Sequence, residues 1–232
     1  EHTAMKVCTD ACLFGAWVAN DKNIQTANTL LDIGTGTGLL SLMVAQAIAN
    51  KDTHATITAL EIEPSAAEEA TNNIHKSPWS NHIQVVHGAL QDFNRAAESM
   101  DCIFTNPPFF EGDLQSNNEN KNLAAHSTAL PWTTLIQNVS TLLKTGGNYY
   151  VLIPALRAYT MQKLATQAGL QLVEEVVVFN AEKQKPFRAL QKFTKSVVSN
   201  TEIKRSNFII KDADNNYTKN FIQLLAPYYL HL

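Results

Sequence analysis

Residues 30–40 read LLDIGTGTGLL. Leu30-Leu31-Asp32-Ile33 is a short apolar run suited to a buried strand, and Leu39 to Ala49 is an apolar run of helical length. Between them stand Gly34, Gly36 and Gly38, and glycines at this spacing permit a tight turn and close approach of a ligand to backbone. A strand, a glycine turn and a helix open an α/β sheet, and the rest of the chain keeps the alternation. Thr56 to Leu60 reads as a second strand. Pro64-Ser65 starts a helix reaching about Ile74, with Glu68 and Glu69 in its early turns, where the helix dipole favours acids. Ile83 to Val86 and Asp101 to Thr105 read as strands three and four. Trp132 to Leu143 reads as a helix closed by Gly146-Gly147, Asn148 to Ile153 as strand five, and Ala158 to Ala168 as a helix ending at Gly169. Three β-rich stretches follow without helices between them, 171–179, 188–198 and 203–210. The expected sheet is mostly parallel and seven-stranded, with an antiparallel C-terminal edge and helices on both faces.

Such sheets bind ligands beyond the carboxyl ends of their strands. Asp32, Glu61, Ala89 and Asn106 lie at or just past four of those ends and should converge on one cleft. Three glycine-loop solutions compete for residues 34–38. A phosphate-binding P-loop needs G-K-[ST], but Leu39-Leu40 follow Gly38. A dinucleotide loop needs a third small residue where Leu39 stands. The D-x-G-x-G-x-G loop of S-adenosylmethionine (SAM) binders fits. Asp32 beside the loop would repel a pyrophosphate, whereas SAM carries a sulfonium and an ammonium. Asp32 can accept from that ammonium, directly or through water. Glu61, 23 residues after Gly38, can accept from both ribose hydroxyls, and Ile62 would lie against the adenine. The expected fold is therefore the α/β, Rossmann-like class I SAM-dependent methyltransferase fold, one domain over residues 1–232.

The fourth strand runs into Asn106-Pro107-Pro108-Phe109-Phe110. Proline has no amide donor and cannot continue a ladder, so this corner is stiff and rich in acceptors. An aromatic amino group is a poor nucleophile because its lone pair is delocalised into the ring. The Asn106 side-chain carbonyl and the Pro107 backbone carbonyl can hold its two hydrogens and turn the lone pair towards a methyl donor. Pro108 stiffens the corner, which is preorganisation. Phe109 and Phe110 offer faces on which a planar substrate stacks.

At this point the chain resembles a family. Ala4-Met5-Lys6-Val7-Cys8-Thr9-Asp10-Ala11, Gly15-Ala16-Trp17, the glycine loop and Asn106-Pro107-Pro108-Phe109-Phe110 are similar to bacterial tRNA (adenine-N6)-methyltransferases, which modify the adenosine beside the anticodon of a valine tRNA. The similarity continues through Ser77-Pro78-Trp79, Pro186-Phe187-Arg188 and Asn216-Tyr217-Thr218 to Tyr229-Leu230. It implies SAM as cofactor, tRNA as partner, and Thr9 and Asp10 near the methionine end of the donor. It also implies an N-terminal extension before Glu1. Two departures stand out. Cys8 and Ala11 replace glycines common in the family. Ala89, in His87-Gly88-Ala89-Leu90, replaces an Asp that holds the donor's adenine; either Asp92 takes over or backbone contacts at Ala89 and Leu90 remain.

Net charge is −3, but residues 181–232 hold nine Lys/Arg against four Asp/Glu. Within that segment Lys183, Lys185, Arg188, Lys192, Lys195, Lys204 and Arg205 are candidates for tRNA phosphates. An anticodon loop is single-stranded, so its bases can splay out and stack. The polar run 116–122 reads as a loop, either a lid or simple disorder. No run of 18 apolar residues marks a membrane span, and no signal-peptide pattern is present. Cys8, Cys12 and Cys102 make neither a disulfide framework nor a metal set, since no second pair or nearby His accompanies Cys8 and Cys12. A metal-free cytoplasmic monomer is expected. The N-P-P-[FY] corner also serves glutamine-N5, guanine-N2 and DNA adenine methylation, and an inactive RNA-binding scaffold is the non-enzyme alternative.

Overall fold

The computed structural model describes residues 8–49, 55–108, 130–196 and 202–231. Its strands are β1 (Thr29–Ile33), β2 (Thr56–Glu61), β3 (Ile83–His87), β4 (Met100–Thr105), β5 (Leu143–Pro154), β6 (Leu170–Ala181), β7 (Arg188–Lys195) and β8 (Lys204–Lys211). The helices are α1 (Thr9–Ala19), α2 (Lys22–Thr26), α3 (Leu39–Ile48), α4 (Pro64–His75), α5 (Trp132–Leu142), α6 (Ala158–Gln167) and α7 (Lys219–Leu225). The strands form one sheet in the order β3-β2-β1-β4-β5-β7-β6-β8. The chain order reverses between β1 and β4, and a crevice opens at such a switch point.

Two expectations need correction. The sheet has eight strands rather than seven. The seventh, β7, runs antiparallel between β5 and β6, while β8 pairs parallel with β6 from Glu174↔Lys204 to Ala181↔Lys211. The outer edge is therefore parallel, and β8 covers backbone donors that β6 would otherwise leave open. Gly146-Gly147 also does not close α5. Leu143 is already extended, with ψ 135°, and β5 starts there. Met100 is level with Leu143 but Cys102 with Asn148, so residues 144–147 bulge out opposite Asp101. Lys144 Nζ meets Asp101 Oδ1 at 2.6 Å across the bulge. A Cβ on Gly147 would stand 2.9 Å from Lys144 O and 3.0 Å from Asp101 O, which no larger residue tolerates without a backbone shift.

Successive strand residues face opposite sides, and the pairs Leu30/Leu31, Ile103/Phe104 and Tyr149/Tyr150 divide accordingly. Leu30, Phe104 and Tyr150 pack with Phe14 of α1, Val44 and Ile48 of α3, Ile74 of α4 and Phe221 of α7. Leu31, Ile103 and Tyr149 pack with Ile136 and Val139 of α5 and Met161 of α6. Each fully buried side chain of this size stabilises by about 1.5–3 kcal/mol, and the two layers hold the strand ends in register. No helix among the described residues is long and apolar enough to cross a membrane.

Candidate active site

The carboxyl ends of β1, β2, β3 and β4 are level, with Ile33 beside Leu60, Glu61 beside His87, and Ile33 beside Thr105. A cavity of about 480 Å³ opens there, lined among others by Gly34, Gly36, Glu61, Gly88, Asn106 and Pro107. The glycine loop forms its floor. Gly34 and Thr35 donate their amides to Leu60 O at 2.9 and 3.0 Å, which ties the loop to β2. Gly34 and Gly36 have φ of +70° and +58°, and a Cβ on either would meet no atom within 4 Å. Their bare faces leave room for a ligand against backbone. Gly38 does not line the cavity; its position is set by Ile74 of α4, 3.3 Å from where a Cβ would stand.

Asp32 lies beneath the floor rather than on the cavity wall. Its Oδ2 accepts from Thr35 Oγ1 and Ser41 Oγ, both at 2.7 Å. Its Oδ1 is buried with no partner among the described residues. Complete burial pushes the carboxyl up from 3.8 to about 6, and the hydroxyls of Thr35 and Ser41 work against that rise. A cationic group reaching Oδ1, directly or through water, would satisfy the orphaned atom and favour the charged form. Glu61 is held by two backbone amides, Gly36 N to Oε2 at 2.8 Å and Glu63 N to Oε1 at 2.9 Å. Each oxygen keeps a lone pair for a hydroxyl in the cavity. Ile62, 51% exposed, presents an apolar face beside it. The shape and donor set thus suit a nucleoside that carries a cationic tail.

Near β3, Gly88, Leu90 and Gln91 line the cavity, whereas Ala89 and Asp92 do not. Asp92 is exposed at the end of the 3-10 turn Leu90–Asp92. Of the two alternatives for the adenine end, Asp92 is off the wall, and the backbone one keeps Leu90 there, without Ala89 but with the bare backbone of Gly88. On the other side, β4 ends with Thr105 Oγ1 donating to Ile33 O at 2.7 Å. Asn106, Pro107 and Pro108 follow on the cavity wall. Asn106 Oδ1 is buried without a partner among the described residues. Phe109, Phe110 and the loop 116–122 lie outside the described residues.

Asp10 and Arg188 meet each other, Nε to Oδ2 at 2.7 Å, and Thr9 opens α1 next to them. Neither Thr9 nor Asp10 lines the cavity; Cys8 and Ala11 from the same segment do. Lys183 and Lys185 are exposed in the turn between β6 and β7. The wall also holds residues that the sequence did not single out for the site, Glu63, Gln91 and Leu130 among them. Glu63 and Gln91 follow strand ends and had a positional signal; Leu130, before α5, had none.

The Methyltransferase small domain family model matches residues 18–169. A curated relative from Dyadobacter fermentans, a tRNA1(Val) (adenine(37)-N6)-methyltransferase, is 38% identical over 99% of this chain and 92% of its own length. One of the same name from Pseudoalteromonas translucida is 38% identical over 100% of this chain and 94% of its own length. Among solved structures, a predicted O-methyltransferase from Agrobacterium tumefaciens matches with a TM-score of 0.65 at 16% identity, covering 95% of this chain and 97% of that one. A class I SAM-dependent methyltransferase from Listeria monocytogenes matches with a TM-score of 0.62 at 15% identity, covering 97% and 71%.

Proposed function

The chain belongs to the tRNA1(Val) (adenine(37)-N6)-methyltransferase family, and from that membership we propose how its site works. It is a SAM-dependent enzyme that methylates the exocyclic N6 of adenosine 37, next to the anticodon of a valine tRNA. When bound, SAM supplies a methyl group activated on a sulfonium. Gly34 and Gly36 would give its backbone-facing side room, Glu61 would accept from the ribose hydroxyls, and Ile62 would lie against the adenine. Gly88, Leu90 and Gln91 would border the adenine, and the buried Asp32 Oδ1 would attract the ammonium, directly or through water.

The observation that carries the reading is Asn106 Oδ1, buried and unpartnered on the wall at the end of β4. Asn106 Oδ1 and the Pro107 carbonyl accept the two amino hydrogens of adenine. This holds the nitrogen's lone pair towards the methyl group before reaction, so no reorganisation is needed at the barrier. As the N–C bond forms, the methyl's bond to the sulfonium breaks and leaves a neutral thioether; the nitrogen is then acidic, and its proton would pass to solvent without a dedicated base. Work on tRNA supports a cytoplasmic location.

The test is tritium transfer from labelled SAM to tRNA lacking its own modifications, followed by nucleoside chromatography. Label in N6-methyladenosine, lost in Asn106→Ala, is expected. Label in N2-methylguanosine, or in a release factor or DNA instead of tRNA, overturns the substrate assignment.

A further inference from the structure

Two large apolar side chains stand in water at the edge of the active-site face. Leu156 is 88% exposed and Tyr159 77%. They are three residues apart, where β5 passes through the 3-10 turn Ala155–Arg157 into α6, so they share one side of the chain. Their position follows from strand register. Thr105 of β4 is level with Val151, and Pro154 is level with Arg188. Beyond the strand end that carries Asn106, β5 therefore continues for three residues, about 10 Å. Ala155 N donates to Phe187 O at 3.2 Å, which joins this turn to the β6–β7 turn with exposed Lys183 and Lys185. The loops that hold the cofactor lie over β1, β2 and β3. Leu156 and Tyr159 lie on the opposite side of β4, from which the acceptor base must come.

Single exposed apolar residues are common and need no explanation. Here two stand together, in a turn hydrogen-bonded to the one that carries Lys183 and Lys185, and both turns lie at the active-site end of the sheet on the far side of β4 from the glycine loop. We propose that Leu156 and Tyr159 form a platform on which a base of the tRNA loop stacks, next to the base being methylated, while Lys183 and Lys185 take the adjoining phosphates. The proposal rests on the tRNA reading above. A base that enters the cavity leaves a neighbour unstacked. A phenol ring and a leucine side chain offer that neighbour an apolar face that accepts any base. The exposed lysines of the adjoining turn and the patch's place at the same end of the sheet as Asn106 match RNA rather than a second copy of this chain.

Steady-state kinetics with a tRNA transcript test this. Tyr159→Ala should raise KM for tRNA about tenfold or more, and Tyr159→Phe should stay within about twofold, because the phenyl face persists. The SAM dissociation constant and the unfolding temperature should not move, and kcat should change far less than KM. Wild-type methylation of tRNA with an unchanged KM in Tyr159→Ala overturns the platform and leaves the tRNA activity standing. A wild type that labels no tRNA overturns both. A wild-type dimer that dissociates on Leu156→Ser, with KM for tRNA unchanged, makes the patch a contact between copies and also overturns it.

Discussion

Asp32 Oδ1 and Asn106 Oδ1 are buried without a partner among the described residues, and an atom of this kind costs about 1–3 kcal/mol of stability. Asn106 stands on the cavity wall and Asp32 beneath its floor, so under the proposed roles removing either should separate stability from activity. Asn106→Ala should lower kcat by about 10²–10³-fold, the usual loss for one preorganised polar group at a reacting centre. SAM affinity and unfolding temperature should remain near wild type; a large fall in either would make Asn106 structural. For Asp32 the sign follows from its raised value of about 6. Below pH 4 both folded and unfolded forms carry the proton. Between pH 4 and 6 the unfolded form loses it first, so this group makes stability fall as pH rises, and above pH 6 the loss is constant. A shift of this size corresponds to about 3 kcal/mol. Asp32→Asn should therefore flatten the stability profile between pH 4 and 6 and be more stable than wild type at pH 7 without ligand, while binding SAM more weakly. Denaturant unfolding across pH, with SAM titration, reads both; an unaltered pH slope would sink the argument. The place of Glu61 and Asn106 on the cavity wall was legible in the sequence because Glu61 ends β2 and Asn106 directly follows β4. The Asp10–Arg188 pair was not, since its members are 178 residues apart and only the fold brings them together.

The strand–turn–helix units from β1 to β4 were legible because their apolar runs are short and punctuated by glycine, proline and charge. Elements without such contrast were not. The first helix, α1, is buried at nine of its eleven positions, from Asp10 to Ala19 apart from Trp17, so no polar face reveals its period. The last, α7, is only seven residues long; Thr218 caps it, accepting from Phe221 N at 3.3 Å. The pair Gly146-Gly147 misled for a different reason. Two glycines after an amphipathic run normally end a helix, but here they serve a bulge inside β5. The bulge gives a direct check. Gly147→Ala puts a methyl group against two carbonyl oxygens and should destabilise by about 1–3 kcal/mol, as overpacking does. Gly146→Ala has space around its Cβ but a φ of +82°, so about 1 kcal/mol is expected from backbone strain alone. Chemical denaturation of both variants measures this. Equal losses would mean that the close approach at Gly147 relaxes freely.

In the mechanism proposed above, the sheet divides the chain's work from one side to the other, with cofactor loops over β1–β3, the acceptor corner at β4, and the β5, β6 and β7 ends beyond it. The C-terminal excess of Lys and Arg, seen in the sequence as one basic segment, divides along the other axis of the sheet. Lys204 and Arg205 pair with Glu174 and Glu175 at 2.9 and 3.4 Å. These lie six or seven residues before the active-site end of β6, roughly 20 Å away. Lys195 is level with Leu170 at the far end and pairs with Glu98. Lys192 is buried against Asp21 and the Tyr150 ring. Arg188 is at the active-site end but shares its charge with Asp10. Lys183 and Lys185, exposed in the β6–β7 turn, stand at that same end. Net charge along the sequence could not separate these groups, because the separation depends on strand register. Two double variants should therefore behave differently. With Lys183→Ala and Lys185→Ala, affinity for tRNA should fall, and the slope of log affinity against log salt should become shallower by about 1.4, the value for two lost contacts to single-stranded phosphates. With Lys204→Ala and Arg205→Ala, the slope should be unchanged and only stability should fall, by under about 1 kcal/mol, as for exposed ion pairs. Fluorescence binding titrations at four salt concentrations compare the two. A steeper loss in the second pair would move the RNA path from the strand ends to the outer face of β8.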